Sequence, residues 1–217
     1  MTNIPTMVKA KRIFLARHGE SEANQKKLLS GQLDFPLTEK GLKQAQWLCD
    51  VLKNEPLAAI YTSSLYRAMT TAQPTAAFHH IQARSVEQLK EINLGVLQGK
   101  ASNQLNHDDE ILWQVCNTDK HFTIPGGESF HGFRQRILDC FTALLTILPD
   151  NTLIVAHRNT NQVILGHLLG LEANSDKAIN VKNKYLYEIH LAPTASVNTI
   201  RLGGEFHGKK YTGLKDD

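Results

Sequence analysis

Short apolar runs alternate along the chain with longer stretches of helical period. Arg12-Ile13-Phe14-Leu15-Ala16 is apolar and β-prone and stops at Arg17-His18-Gly19, which predicts a buried strand followed by a loop. Thr38 can cap a helix that carries Leu42, Ala45, Leu48, Cys49 and Leu52 at helical spacing. Leu57 to Tyr61 reads as the next buried strand. Ser63 or Ser64 then reads as the cap of a helix through about Phe78, which Pro74 can kink. Ala83 to Glu87 is a weaker strand candidate, and Glu91 to Lys100, with Gly95 and Gly99, reads as a loop.

The second half repeats the theme. Residues 101 to 122 are polar, with a short helical stretch around Ile111 to Val115. Pro125-Gly126-Gly127 breaks the chain. Phe130, Phe133, Ile137, Phe141, Leu144 and Leu145 then mark a strong amphipathic helix between Glu128 and Leu148. Thr152 to Ala156 predicts a strand ending at His157-Arg158-Asn159, and Asn161 to Leu169 a helix stopped by Gly170. Tyr185 to Leu191 and Val197 to Leu202 read as late strands, with a loose polar tail from about Gly203. Strand and helix alternating at this spacing argue for an α/β sheet covered by helices. No repeat or linker divides residues 1–217, so one domain is expected, with about 100–127 as a lid.

Composition narrows the function classes. The 217 residues are 41% hydrophobic and 21% charged, ordinary for a folded protein, with a formal net charge of +3. Lys9, Lys11 and Arg12 cluster at the start and Lys209 and Lys210 near the end, without the dense basic face of a nucleic-acid binder. The balance suits a small anionic substrate. Cys49, Cys116 and Cys140 form no C-x-x-C pair, which speaks against a disulfide framework or structural zinc. No run approaches the ~20 apolar residues of a membrane span. Met1 to Lys11 lacks a signal-peptide pattern. A reduced, cytoplasmic protein is expected, with no nucleic-acid or membrane partner.

Two strands end in a histidine beside an arginine, Arg17-His18 and His157-Arg158. Ligands of open α/β sheets bind beyond the carboxyl ends of strands, so adjacent parallel strands would bring these four side chains together.

Arg17-His18-Gly19-Glu20 resembles the signature of the histidine phosphatase superfamily, which includes the phosphoglycerate mutases. The resemblance extends through Leu15 to Asn24, Asp34 to Gly41, Tyr61 to Ala68 with Thr71-Ala72, and Leu89 to Gly95 with Gly99. Pro125 to Ser129 and Val155 to His157 complete it. A lone Arg-His-Gly is a weak signal, whereas six blocks in order over nearly the whole chain are a specific one. The resemblance implies a phosphoglycerate mutase-like fold, a three-layer α/β/α sandwich with a mostly parallel central sheet. It implies that His18 is the nucleophile, that Arg17, Arg67 and His157 clamp the phosphate, that Asn24 adds a hydrogen bond and that Glu91 is the proton donor. Arg158 and Asn159 are further candidate substrate-binding residues.

The chemistry suits these residue types. Phosphoryl transfer spreads charge over equatorial oxygens, which an always-charged arginine fork matches. A histidine that forms a phosphohistidine splits one hard step into two. The attacking nitrogen must be bare while the other keeps its proton, and a backbone carbonyl commonly holds that tautomer by accepting the other nitrogen's N–H. No metal or other cofactor is implied, because guanidiniums and imidazoles supply the positive field. His79, His80, His107, His121, His131, His167, His190 and His207 show no metal-ligand spacing.

The family's glycine after the second histidine is Arg158 here, followed by Asn159-Thr160 as in the mutases. The mutase reading, an isomerase that returns the phosphoryl group to substrate, is therefore a rival. Against it, Ile92-Asn93-Leu94 replaces the basic and aromatic run of the mutases, and between Lys100 and Pro125 the sequence holds no arginine. A binding module without turnover is a second rival, opposed by the retained His18 and Glu91. The expectation is a phosphomonoester hydrolase acting on a small phosphorylated metabolite.

Overall fold

The computed structural model describes residues 11–171, 179–192 and 194–215. Of the reading of Met1 to Lys11, all but Lys11 lies outside these residues. One seven-stranded sheet organises the chain. Its strands are β1 (Arg12–Arg17), β2 (Ala59–Ser63), β3 (Arg84–Val86), β4 (Thr152–Ala156), β5 (Tyr185–Leu191), β6 (Ala195–Arg201) and β7 (Lys210–Thr212). They lie in the order β3-β2-β4-β1-β5-β6-β7. The first four pair in parallel, and the last three add antiparallel to the β1 edge. The sheet is thus mixed and mostly parallel.

Alternation along the strands builds two apolar layers, because successive strand side chains point to opposite faces. Ile13, Leu15, Tyr61, Ile154 and Tyr187 join one core cluster, which also holds Phe133, Ile137 and Phe141 of α5 (Phe130–Ile147) and Val163, Ile164 and Leu165 of α6 (Arg158–Leu168). Phe14, Ala16, Ile60, Val155 and Leu186 join the other. That layer includes Leu48 and Leu52 of α2 (Glu39–Leu52) and Ala68 and Ala72 of α3 (Tyr66–His79). Helices cover both faces, giving the expected three layers. A short α1 (Glu22–Gln25) follows β1, and α4 (His107–Thr118) lies within the segment read as a lid.

Several sequence-based boundaries move. Thr38 caps α2 as expected, its hydroxyl accepting the N–H of Gly41 at 3.1 Å. Neither Ser63 nor Ser64 caps α3: Ser63 is the last residue of β2, and Asp34 supplies the acceptor instead. The tail from Gly203 is not loose throughout, since Lys210–Thr212 pair with β6. Helix α6 begins at Arg158, three residues before the predicted start. The short helical stretch in the polar segment extends to 12 residues, with the Asn106 side chain accepting from the N–H of Asp109.

Candidate active site

β1 and β4 are adjacent and parallel, with Arg17 in register with Ala156. His18 and His157 therefore leave the sheet side by side. Their ring centroids lie 5.2 Å apart. The turn after β1 is tight: a Cβ on Gly19 would stand 2.5 Å from the carbonyl oxygen of Gly41, and one on Gly41 2.0 Å from that of Glu20. Only two glycines allow this backbone approach, which anchors the His18 loop to the start of α2. Thr71 of α3 accepts the N–H of Gly19 at 2.9 Å, and Gln44 of α2 accepts that of Glu20 at 2.7 Å. Asn183 donates to the carbonyl of His18 at 2.6 Å.

His18 is 3% exposed, Arg67 1%, His157 0% and Glu91 8%. The Nδ1 of His18 lies 2.7 Å from the carbonyl of Gly19, an arrangement that satisfies a proton on Nδ1 and leaves Nε2 bare. Burial, reinforced by Arg67 and Arg17, holds the His18 imidazole well below the usual histidine pKa. Burial, Arg67 and His18 do the same to His157. Both rings are therefore neutral near pH 7.

Arg67 enters from the first turn of α3. It donates to the carbonyls of Gly31 at 2.7 Å and Leu33 at 2.8 Å, and approaches the carboxylate of Asp34 at 3.4 Å. Asp34 also accepts the backbone N–H groups of Tyr66 and Arg67, so it caps α3 and steadies its arginine together. Burial lowers the Arg67 pKa, opposed by Glu91 and Asp34. Arg17 donates to the carbonyl of Val181 at 3.1 Å. Burial pushes its pKa down to about 10, with Glu91 opposing and Arg158 adding to the fall. The carboxyl of Glu91 is fixed by two backbone donors, Ile92 at 2.9 Å and Asn159 at 3.1 Å.

Three buried nitrogens at this place have no partner: Nε of Arg17, Nε of Arg67 and Nδ1 of His157. Buried polar atoms are ordinarily satisfied, so three unpaired nitrogens, two of them guanidinium donors, are a preorganised anion cradle. A cavity of about 730 Å³ opens over it. Arg17, Asn24, Glu91, Arg158 and Asn159 line the cavity, while His18, Arg67 and His157 are buried and not among its lining residues. Arg17 and Arg67 act on both imidazoles and Glu91 on both guanidiniums, so these five lie near one another, while Asn24, Arg158 and Asn159 border the cavity. Arg158 is exposed on the cavity wall. Asn24 uses its side-chain oxygen in the capping box of α1, accepting from Ser21 at 3.2 Å.

Sequence reasoning missed four supporting residues: Asp34, Ser63, Thr71 and Asn183. Ser63 places its hydroxyl 2.7 Å from Nε2 of His157. The first three stand inside the resembling blocks, so their position was a usable signal. Asn183 lies 165 residues from His18, and no local pattern points to it. Among the described residues, no group of three or more His, Cys, Asp or Glu side chains could hold a metal. None of the described helices is long and apolar enough to cross a membrane.

Comparison with known proteins shows the family and the fold. The family model described as histidine phosphatase superfamily (branch 1) matches residues 13–199. The chain is similar to the adenosylcobalamin/alpha-ribazole phosphatase of Salmonella typhimurium, 33% identical over 76% of this chain and 82% of that protein. It is also similar to the probable phosphoglycerate mutase GpmB of Yersinia pestis, 30% identical over 79% and 81%. Among solved structures, the alpha-ribazole phosphatase of Shigella flexneri superposes with a TM-score of 0.79 at 27% identity, over 94% of this chain and 100% of that one. A mycobacterial glucosyl-3-phosphoglycerate phosphatase superposes with a TM-score of 0.73 at 26% identity, over 84% and 91%.

Proposed function

Because the chain belongs to the histidine phosphatase superfamily, we propose that it hydrolyses a small phosphomonoester through a phosphohistidine on His18. The observation that carries this reading is the pairing of a bare, neutral Nε2 on His18 with three unpartnered buried nitrogens around it. Arg17, Arg67 and His157 hold the phosphate oxygens. With Ser63 donating its hydroxyl proton to Nε2 of His157, the Nδ1–H of His157 is free to donate to the anion. The N-terminus of α6 adds its backbone dipole to the same field.

The chemistry runs in two halves. Nε2 of His18 attacks phosphorus, the ester P–O bond breaks, and the leaving alkoxide takes a proton from the carboxylic acid of Glu91. Water then attacks the phosphohistidine while the Glu91 carboxylate accepts its proton. The P–N bond breaks, and inorganic phosphate leaves. No metal is assigned a role, since the cationic side chains already face the developing charge. Residues 100–127 serve as a lid in this reading, supported by Ser102, Trp113 and Asn117 in the cavity's lining. Three widely separated cysteines, an odd number without a C-x-x-C pair, support a reducing, cytoplasmic setting.

Hydrolysis is favoured over the mutase reaction by the part of the lining that Ile92, Leu94, Trp113 and Asn117 supply, which holds no arginine. The mutase reading draws on one relative and on Arg158 and Lys27, which also border the cavity. Hydrolysis of an aryl phosphate in excess chelator, by the native chain and by His18→Ala, separates these readings. Activity that survives chelator and is lost in the variant supports the phosphatase. Phosphoglycerate interconversion without net phosphate release would replace it with the mutase.

A further inference from the structure

A second, smaller hollow of about 80 Å³ adjoins the phosphate cavity. The two share Ile92, Leu94, Trp113, Asn117 and Asn159 as lining residues, so a single molecule can reach into both. The smaller one is an apolar slot. Ile92, Leu94, Ile124 and Phe130 border it, each at least nine-tenths buried and part of one core cluster. Trp113 and Cys116 of α4 pack against that cluster and complete the apolar lining. The one charged group on the slot, Glu128, is already engaged: its carboxylate accepts from Arg136 at 2.6 Å and from the N–H of Asn93 at 2.8 Å. The Asn117 side chain donates to the carbonyl of Trp113 at 2.7 Å.

Two residues tie the slot to Glu91. Ile92 follows it in the chain, and the N–H of Asn159 holds its carboxyl at 3.1 Å; both border the slot. In-line phosphoryl transfer puts the leaving oxygen opposite His18, beside the acid that protonates it. The alcohol that Glu91 protonates therefore departs next to this slot. An unfilled apolar slot forfeits dispersion contacts along its lining, and an apolar group that enters restores them. Hydroxyls placed there would lose water without gaining partners. An apolar cavity of about 150 Å³ takes a benzene ring, so this smaller one suits a group of roughly four carbons.

We propose that the slot receives the alcohol part of the ester, an inference that rests on the hydrolase reading for the side on which the leaving group lies. The substrate is then the phosphomonoester of an alcohol that carries a small alkyl group, rather than a polyhydroxylated sugar phosphate. Cys116 sets the size of the group admitted, because it is the smallest of the apolar side chains on the slot.

The test is a calorimetric titration of three phosphonates into the full chain: methylphosphonate, butylphosphonate and 3-hydroxypropylphosphonate. Their P–C bond is not hydrolysed, so the titration reads binding without turnover. Burying one methylene is worth roughly fourfold in affinity. Butylphosphonate should therefore bind at least tenfold tighter than methylphosphonate, and 3-hydroxypropylphosphonate, of the same length, should lose most of that gain. Cys116→Leu fills the slot and should cut the butyl-to-methyl ratio at least fivefold. Cys116→Ala leaves the slot open and should keep the ratio above fivefold. A variant that merely folds less well lowers both affinities together and leaves their ratio alone. A native ratio under tenfold, an equal gain for the hydroxylated compound, or a ratio that Cys116→Leu does not lower overturns the slot. A ratio that collapses in Cys116→Ala as it does in Cys116→Leu overturns it too. Selectivity for butylphosphonate in a chain that hydrolyses no phosphomonoester would leave the slot standing and remove the hydrolase reading. Hydrolysis without that selectivity would do the reverse.

Discussion

In the proposed mechanism, burial is what fits the His18 and His157 imidazoles to their roles. Both rings are neutral because a charge buried away from water, and beside the two positive charges of Arg67 and Arg17, is costly. The depressed pKa values have a stability consequence of definite sign. Below about pH 6.5 the unfolded histidines take protons that the folded ones refuse. Stability is therefore fully present above that pH and is lost as pH falls, by up to ~1.4 kcal/mol per pH unit for each ring. Thermal melts between pH 7 and 5 should show this decline, flattened in His157→Gln; identical slopes in the two chains would refute it. Activity follows the same logic: kcat/KM should show no His18-dependent fall until well below pH 6.5. Glu91 yields a second test at this scale. A proton donor matters most when the leaving oxygen is basic, so Glu91→Gln should cost an alkyl phosphate ~10²- to 10⁴-fold in kcat and an aryl phosphate less. Equal losses on both would remove the acid role.

Elements place these residues, and the elements were legible to different degrees. Strands β4 and β5 were read from their apolar runs to the residue, because a fully buried strand leaves an uninterrupted signal between polar turns. The start of α6 was missed because Arg158 and Asn159 line a cavity and the first turn carries no apolar period. The cap of α3 was misplaced for another reason. Its acceptor, Asp34, lies 32 residues before Tyr66, beyond any local capping rule. Asp34→Ala should therefore lower stability by about 1 kcal/mol through the lost cap and reduce kcat/KM by roughly tenfold through a less constrained Arg67. Asp34→Asn keeps one of the two acceptor oxygens and should recover part of the stability. Denaturant melts of the two variants check this, and an unchanged midpoint in Asp34→Ala would show that the cap carries no load.

At the scale of the molecule, alternation of strand and helix was enough to read the layered α/β architecture, and six ordered blocks were enough to gather the site residues. The rest depended on chain closure in three dimensions. β7 is three residues long and was hidden in a polar tail, yet it pairs with β6 and brings Lys210 to the nearly buried carboxylate of Glu188. The loop carrying Asn183 reaches the His18 turn only because β5 lies against β1. The sheet thus delivers five distant segments to the carboxyl ends of two parallel strands, and the account makes one chemical claim about the result: His18 carries the phosphoryl group between substrate and water. The most direct test is to quench the native chain in alkali during turnover of an aryl phosphate with chelator in excess, and to look for phosphate bound to protein. The account predicts an acid-labile, alkali-stable phosphate on the peptide containing His18, absent from His18→Ala. Hydrolysis that persists in His18→Ala, or phosphate trapped on another residue, would contradict it.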